Sequence, residues 1–366
     1  MTIRERLTAI NLWIAEHTAR ISFVQKIFFL DHLRTMIHAS LSIVESLEIL
    51  SKEMANKKFK KIIELVQQDV EAGKSLSEVL GTYPDVFPTM YVRMIEAGEV
   101  SGTLDESLKQ IVRQMQKTKA LNASIRSAMI YPAVILIAMS GIGVMMATVV
   151  LPKLIDIFEE FDAELPLATR ILITLINFLE NPVHLILIGA IAVIIIGGFT
   201  ILLKKSPSFH HHIHALLLRL PIIGPVIQQI NLAQFSLTLS SLLKSTIPII
   251  DAVDITANTC TNLLYQEALH AAAKKIKTGE AVSAILREHH QLFPPIVTEM
   301  IMVGERSGQV VDLLTNISEF YSDEVDKTMK NFATIIEPII IVTLGVAIAG
   351  VAVAIIMPMY SLVQNF

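Results

Sequence analysis

Cysteine is nearly missing from this sequence. Its 366 residues include one, Cys260, which excludes an intrachain disulfide framework and a multi-cysteine metal site and fits a reducing compartment. Charge is also scarce, at 17% of residues against about 25% in soluble domains. With a net charge of −4, no basic surplus is left for nucleic acid. The first twenty residues lack the continuous apolar core and small-residue cleavage site of a secretory signal. Ile3, Leu7, Ile10 and Ile14 recur there at helical spacing. Residues 1–25 are therefore expected to form an amphipathic segment, packed on the next domain or anchored at a membrane surface by Trp13. Catalytic signatures are missing too. There is no phosphate-binding loop, no HExxH and no GxSxG, so neither an enzyme nor a cofactor is expected.

What the sequence does have is apolar length. Three runs, 128–151, 183–203 and 335–357, each exceed the ~18 residues needed to cross hydrocarbon as a helix. Flanking basic residues set the orientation. Lys109, Arg113, Lys117, Lys119 and Arg126 precede the first run, Lys204, Lys205 and Arg219 follow the second, and Lys327 and Lys330 precede the third. The 152–182 loop carries Lys153 and Arg170 against six acidic residues. The expected topology has a cytoplasmic N-terminus, cytoplasmic domains at 26–127 and 204–334, an external loop at 152–182 with an interfacial helix, and an external tail at 358–366.

One offset recurs along the chain. Gly73 pairs with Gly279, Phe87-Pro88 with Phe293-Pro294, Gly98-Glu99 with Gly304-Glu305, Ser101-Gly102 with Ser307-Gly308, Pro132 with Pro338 and Pro152 with Pro358, each 206 positions apart. A constant offset over so many distinctive residues marks an internal duplication. The order is domain and span, a connecting span, then domain and span again. The middle span returns the chain so that both domains face the same side.

Each domain reads as helices alone. Apolar periodicity runs on either side of a polar break near Ser40, and KKFKKIIELVQQDVEAG ends on Gly73, a natural C-terminal cap. Ser75 can cap the next helix with Glu78 three residues on. Phe87-Pro88 opens another, which is expected to stop at Gly98, with a new helix from about Thr103. The fold class is thus an all-α membrane protein: two repeated cytoplasmic bundles of about six helices each and three transmembrane helices, the last helix of each bundle continuing into its span.

The segments GEVSGTLDESL and GERSGQVVDLL, the AMIYP before the first span and the IEP heading the third resemble the GspF/PilC family of platform proteins over roughly residues 26–366. The resemblance implies a bacterial inner-membrane scaffold that forms homo-oligomers and contacts a cytoplasmic secretion or pilus ATPase and other inner-membrane assembly proteins. Such a scaffold helps move pilin or pseudopilin subunits into a filament. Pilus and secretion system both remain open. A small transporter or channel subunit is the alternative, although three spans with one edge carboxylate supply no polar midplane path.

The candidate site residues are Gly98, Glu99, Ser101, Gly102, Gly304, Glu305, Ser307, Gly308, Glu337, Pro132 and Pro338. In the duplicated turns, both glycines are expected to supply positive φ and Ser101 or Ser307 to cap the following helix. Glu99 and Glu305 fit that reading least, since a turn does not demand a carboxylate. A backbone donor, an oligomer partner or a divalent cation could engage them. Glu337 is the one carboxylate within the three runs, and its repeat equivalent is Tyr131. It is either a first-turn residue favoured by the helix dipole or a polar contact to a partner. His210, His211, His212 and His214 have no acidic or cysteine neighbour and are read as a membrane-edge cluster rather than a metal site. Pro152 and Pro358 are expected to end their spans.

Overall fold

The computed structural model describes residues 20–145, 174, 197 and 207–364. Among them there are thirteen helices and no strand. The first repeat supplies α1 (Phe23–His38), α2 (Ile43–Glu53), α3 (Lys57–Glu71), α4 (Leu76–Gly81), α5 (Thr89–Ser101) and α6 (Leu104–Met145). An extra helix, α7 (Pro207–Arg219), opens the second half. It is followed by α8 (Ile223–Lys244), α9 (Ile249–Ala257), α10 (Leu263–Ile276), α11 (Val282–Glu288), α12 (Pro295–Ser307) and α13 (Val310–Gln364). The starts of α2 to α6 and of α9 to α13 all differ by 206 residues. The expected six-helix repeat is therefore present, with the last helix running on into apolar sequence in each copy.

Local sequence explains the breaks. Ser22, Ser42, Asn56 and Ser75 each accept a backbone N–H three residues on, and so cap α1 to α4. Gly73 and Gly279 adopt left-handed φ of 95° and 91°. At the first of these the Gly73 and Lys74 amides donate to the Val70 and Asp69 carbonyls, the bond pattern of a Schellman stop. The polar break at Ser40 uses the same device with φ 67°, and its equivalent Thr246 has φ 59°.

The core of each bundle is an aromatic triad conserved by the duplication. Phe29, Phe59 and Phe87 have ring centroids 5.5, 5.8 and 6.3 Å apart. Phe235, Tyr265 and Phe293 take the same places, with Phe293 5.3 Å from each of the other two. All six are buried. The polar member, Tyr265, donates its hydroxyl to the Leu292 carbonyl at 2.6 Å, as a buried phenol requires. The one thiol, Cys260, is also buried, and burial pushes its pKa up to about 12, so it packs as a small apolar group rather than a nucleophile.

The described residues fall into two compact units. The first takes those up to 122 together with 214–325, and the second 123–213 with 326–366. In the first unit the two bundles meet along α6 and α8. Gln114, 1% exposed, donates to Thr238 and accepts from Ser241 at 2.6 Å. Lys117 and Glu319 pair nearby at 3.1 Å. In the second unit Ser124 donates to Asp326 at 2.7 Å. Its apolar side chains point outward: Ile137 is 72% exposed and Val346 69%, an arrangement suited to lipid rather than water.

Of the three expected spans, the described residues hold one candidate, a helix long and apolar enough to cross a membrane within Leu104–Gly143 of α6. The apolar helical stretch Ile340–Gly350 lies within α13, inside the expected run 335–357. The bent pair α7 and α8 turns by 107°, and α8 is buried along 231–242 except at Gln234, so it is a core helix. The N-terminal residues 1–19, the 152–182 loop and the 183–203 span lie outside the described residues, apart from Thr174 and Gly197.

Candidate functional site

The duplicated Gly-Glu-x-Ser-Gly segment forms the joint at which three helices of each bundle meet. α5 does not stop at Gly98, as expected from the sequence, but continues to Ser101. Only the second glycine of each motif is left-handed, with φ 72° at Gly102 and 73° at Gly308. Gly98 and Gly304 are helical, and their role is close approach. A β-carbon at Gly98 would stand 2.5 Å from Ser107 Oγ and 2.7 Å from Ser107 Cβ. One at Gly304 would stand 2.8 Å from the Val310 Cα. Neither serine caps the following helix. Ser101 Oγ donates to the Ala97 carbonyl at 2.7 Å, and Ser307 Oγ lies 3.5 Å from the Gly304 carbonyl, back-bonds within their own helices.

The carboxylates have a definite task. Glu99 accepts the Leu76 amide at 2.7 Å, the Ser77 amide at 3.0 Å and the Ser77 hydroxyl. Glu305 accepts the Val282 amide at 2.6 Å, the Ser283 amide at 3.3 Å and the Ser283 hydroxyl. Each carboxylate thus sits on the N-terminus of a helix of six or seven residues, where free N–H groups and the helix dipole favour negative charge. The backbone donor is the engagement that the structure shows, and it explains why the turn carries a glutamate. The sequence signal was the pairing of Glu99 with Ser77 and of Glu305 with Ser283, both 22 residues apart.

Grooves flank α5. One of about 640 Å³ runs past Ser77, Phe87, Val92 and Glu99. Another of about 540 Å³ separates α5 from Pro248, which precedes α9, and from Asp251 and Asp254 of α9. Arg93, Glu96 and Val100 line both, and Val100 is 86% exposed. Val100 has Arg306 as its equivalent, so this ridge is not duplicated.

The remaining predicted residues are elsewhere. Glu337 is exposed on α13 well inside the helix, which begins at Val310, so it does not occupy a first helical turn, and Pro132 and Pro338 lie inside α6 and α13. Pro358 lies inside α13, which continues to Gln364, so it does not end the helix. Pro152 lies outside the described residues. His214 Nδ1 accepts the Leu263 amide at 2.9 Å, giving this histidine a structural place at the start of α10.

Comparison with known proteins matches the repeat. The sequence profile of "Type II secretion system (T2SS), protein F" fits residues 29–152 and again 235–358, copies offset by the same 206 positions. The type IV pilus assembly protein PilC of Thermus thermophilus is 33% identical over 335 residues, covering 92% of this chain and 82% of that protein. PilC of Pseudomonas aeruginosa is 30% identical, over 91% and 88%. Type II secretion system protein F of Vibrio cholerae is 28% identical, over 89% and 79%. With both halves matched, well over half of its length, the chain belongs to the type II secretion system protein F family.

Proposed function

We propose that this chain is the inner-membrane platform of a type IV pilus or type II secretion machine, coupling a cytoplasmic ATPase to the insertion of pilin or pseudopilin subunits into a filament. The observation that carries the reading is the duplicated bundle whose last helix runs straight into apolar sequence, as α6 and α13 do. A motor can push or turn such a domain, and the movement passes along a continuous helix. The names of the relatives, pilus assembly for PilC and secretion for protein F, support the role. The chain works as a homo-oligomer beside other inner-membrane assembly proteins and hydrolyses nothing itself. Both bundles, 26–127 and 204–334, face the cytoplasm, and three spans leave the tail outside.

The test uses the full chain. Deleting it should abolish filaments or secretion, and purified protein should capture the cognate ATPase without hydrolysing ATP. Failure of the ATPase to bind either bundle, in solution or in membranes, would refute the coupling. Solute transport by reconstituted chain alone would favour the channel reading.

A further inference from the structure

Between the two bundles, inside the first unit, the structure has a pocket of about 260 Å³. It is smaller than the apolar cavities that take drug-sized ligands, and its chemistry is the reverse of theirs. Apart from Leu237, every lining residue is polar or charged. Three cations with exposed side chains line it, Arg113 and Lys117 from α6 and Lys244 from α8, with Glu319 as the one acid. Glu319 pairs with Lys117. Arg113 and Lys244 form no ion pair among the described residues. Glu106 has its pKa lowered by hydrogen bonds from Lys109 and Gln110, which its carboxylate oxygens accept, and only lastly by the Arg113 charge.

The pocket wall holds a second signal. Ser318 is 1% exposed, and its hydroxyl has no hydrogen-bond partner among the described residues. A buried, unpaired hydroxyl in native structure calls for an explanation, and Ser318 is one of the residues that line this pocket. In contrast, its neighbours Gln114 and Ser241 bond to each other. The repeat equivalent of Ser318 is Val112, which is buried and needs no partner. The hydroxyl is therefore not demanded by the duplicated fold.

We propose that this pocket binds a small oxyanion of phosphate size, held by Arg113 and Lys244 with Ser318 Oγ as donor. Arg113 belongs to the first repeat and Lys244 and Ser318 to the second, so the ion ties the bundles together at their seam. Glu319 is an internal competitor that occupies Lys117 when the site is empty.

Thermal unfolding of the full chain in zwitterionic detergent tests this, with phosphate replacing chloride at constant ionic strength. A saturable rise in midpoint is expected. Arg113→Gln combined with Lys244→Gln should weaken the apparent affinity about tenfold or more, since two charge-assisted bonds are lost. Glu319→Gln should strengthen it by freeing Lys117. Ser318→Ala is the variant least able to disturb folding. It should raise the midpoint without phosphate, by removing a buried unpaired hydroxyl, and yet reduce the phosphate response. A rise that grows linearly and is equal in all variants is the exclusion effect phosphate has on any protein, and would overturn the proposal. So would a Glu319→Gln variant that binds more weakly. Adenosine monophosphate saturating at lower concentration than phosphate would overturn the restriction to a lone oxyanion.

Discussion

At the scale of single residues, the two glycines of each motif do different work, and substitutions should separate them. Gly102 and Gly308 hold left-handed backbone, so alanine there should cost about 1–2 kcal/mol. Gly98→Ala and Gly304→Ala instead force two helices apart, and overpacking of this kind costs about 1–3 kcal/mol. The obstacles differ. At Gly98 the nearest atoms belong to the Ser107 side chain, whereas at Gly304 they are the Val310 backbone. Ser107→Gly should therefore partly restore the melting temperature of Gly98→Ala. No side-chain truncation at Val310 should restore Gly304→Ala. Equal rescue in both repeats would show that the close approach is not the reason for these glycines. The sequence marked all four as special, but assigned positive φ to each. Whether a glycine serves a turn or a crossing depends on what packs against it, and that neighbour is set by tertiary contact.

At the scale of elements, α4 and α11 are too short to be stable alone and are held from outside by Glu99 and Glu305. Their caps are unequal. α4 has Ser75 at its N-cap, accepting the Glu78 amide, but α11 has Ala281 there and no side-chain cap of its own. Glu305 thus carries the N-terminus of α11 alone. Glu305→Ala should cost more stability than Glu99→Ala, within the ~1.5–3 kcal/mol range of hydrogen bonds to charged groups. Amide exchange should quicken across 282–288 more than across 76–81. The reverse order would remove the capping account. Equivalent losses in filament output without any loss of local protection would instead point to a partner contact at these carboxylates. Helix positions were largely legible from capping residues and periodicity. The carboxylate's target was not, because it lies 22 or 23 residues away in sequence and no local rule connects them.

For the whole molecule, the orientation rests on basic residues flanking the apolar runs. Reporter fusions at Met1 and near Ser208 should be cytoplasmic, and fusions near Asp162 and after Phe366 should be external. An external reporter near Ser208 would break the layout, since the second bundle could not then share a compartment with the first. Glu337 belongs to this scale as well. If its charge is recognised by a partner, Glu337→Gln should insert normally and still lower filament or secretion yield at matched membrane levels. If it is only an exposed residue within α13, yield should be unchanged.

The sequence by itself determined the helical class, the duplication and its 206-residue offset, the apolar runs and the family. Each of these is carried by local composition or by repetition, which survive without three-dimensional information. Only the tertiary structure decided how the duplicated parts are used. It placed Gln114 in a buried polar seam where its equivalent, Phe320, is 58% exposed, and it left the Ser318 hydroxyl without a partner among the described residues, in the wall of a pocket lined by three cations. Two copies of one sequence pattern meet different surroundings when they pack through non-equivalent faces, as α6 and α8 do here. The differences between them arise at the contact, which is a property of the assembled chain and not of either copy.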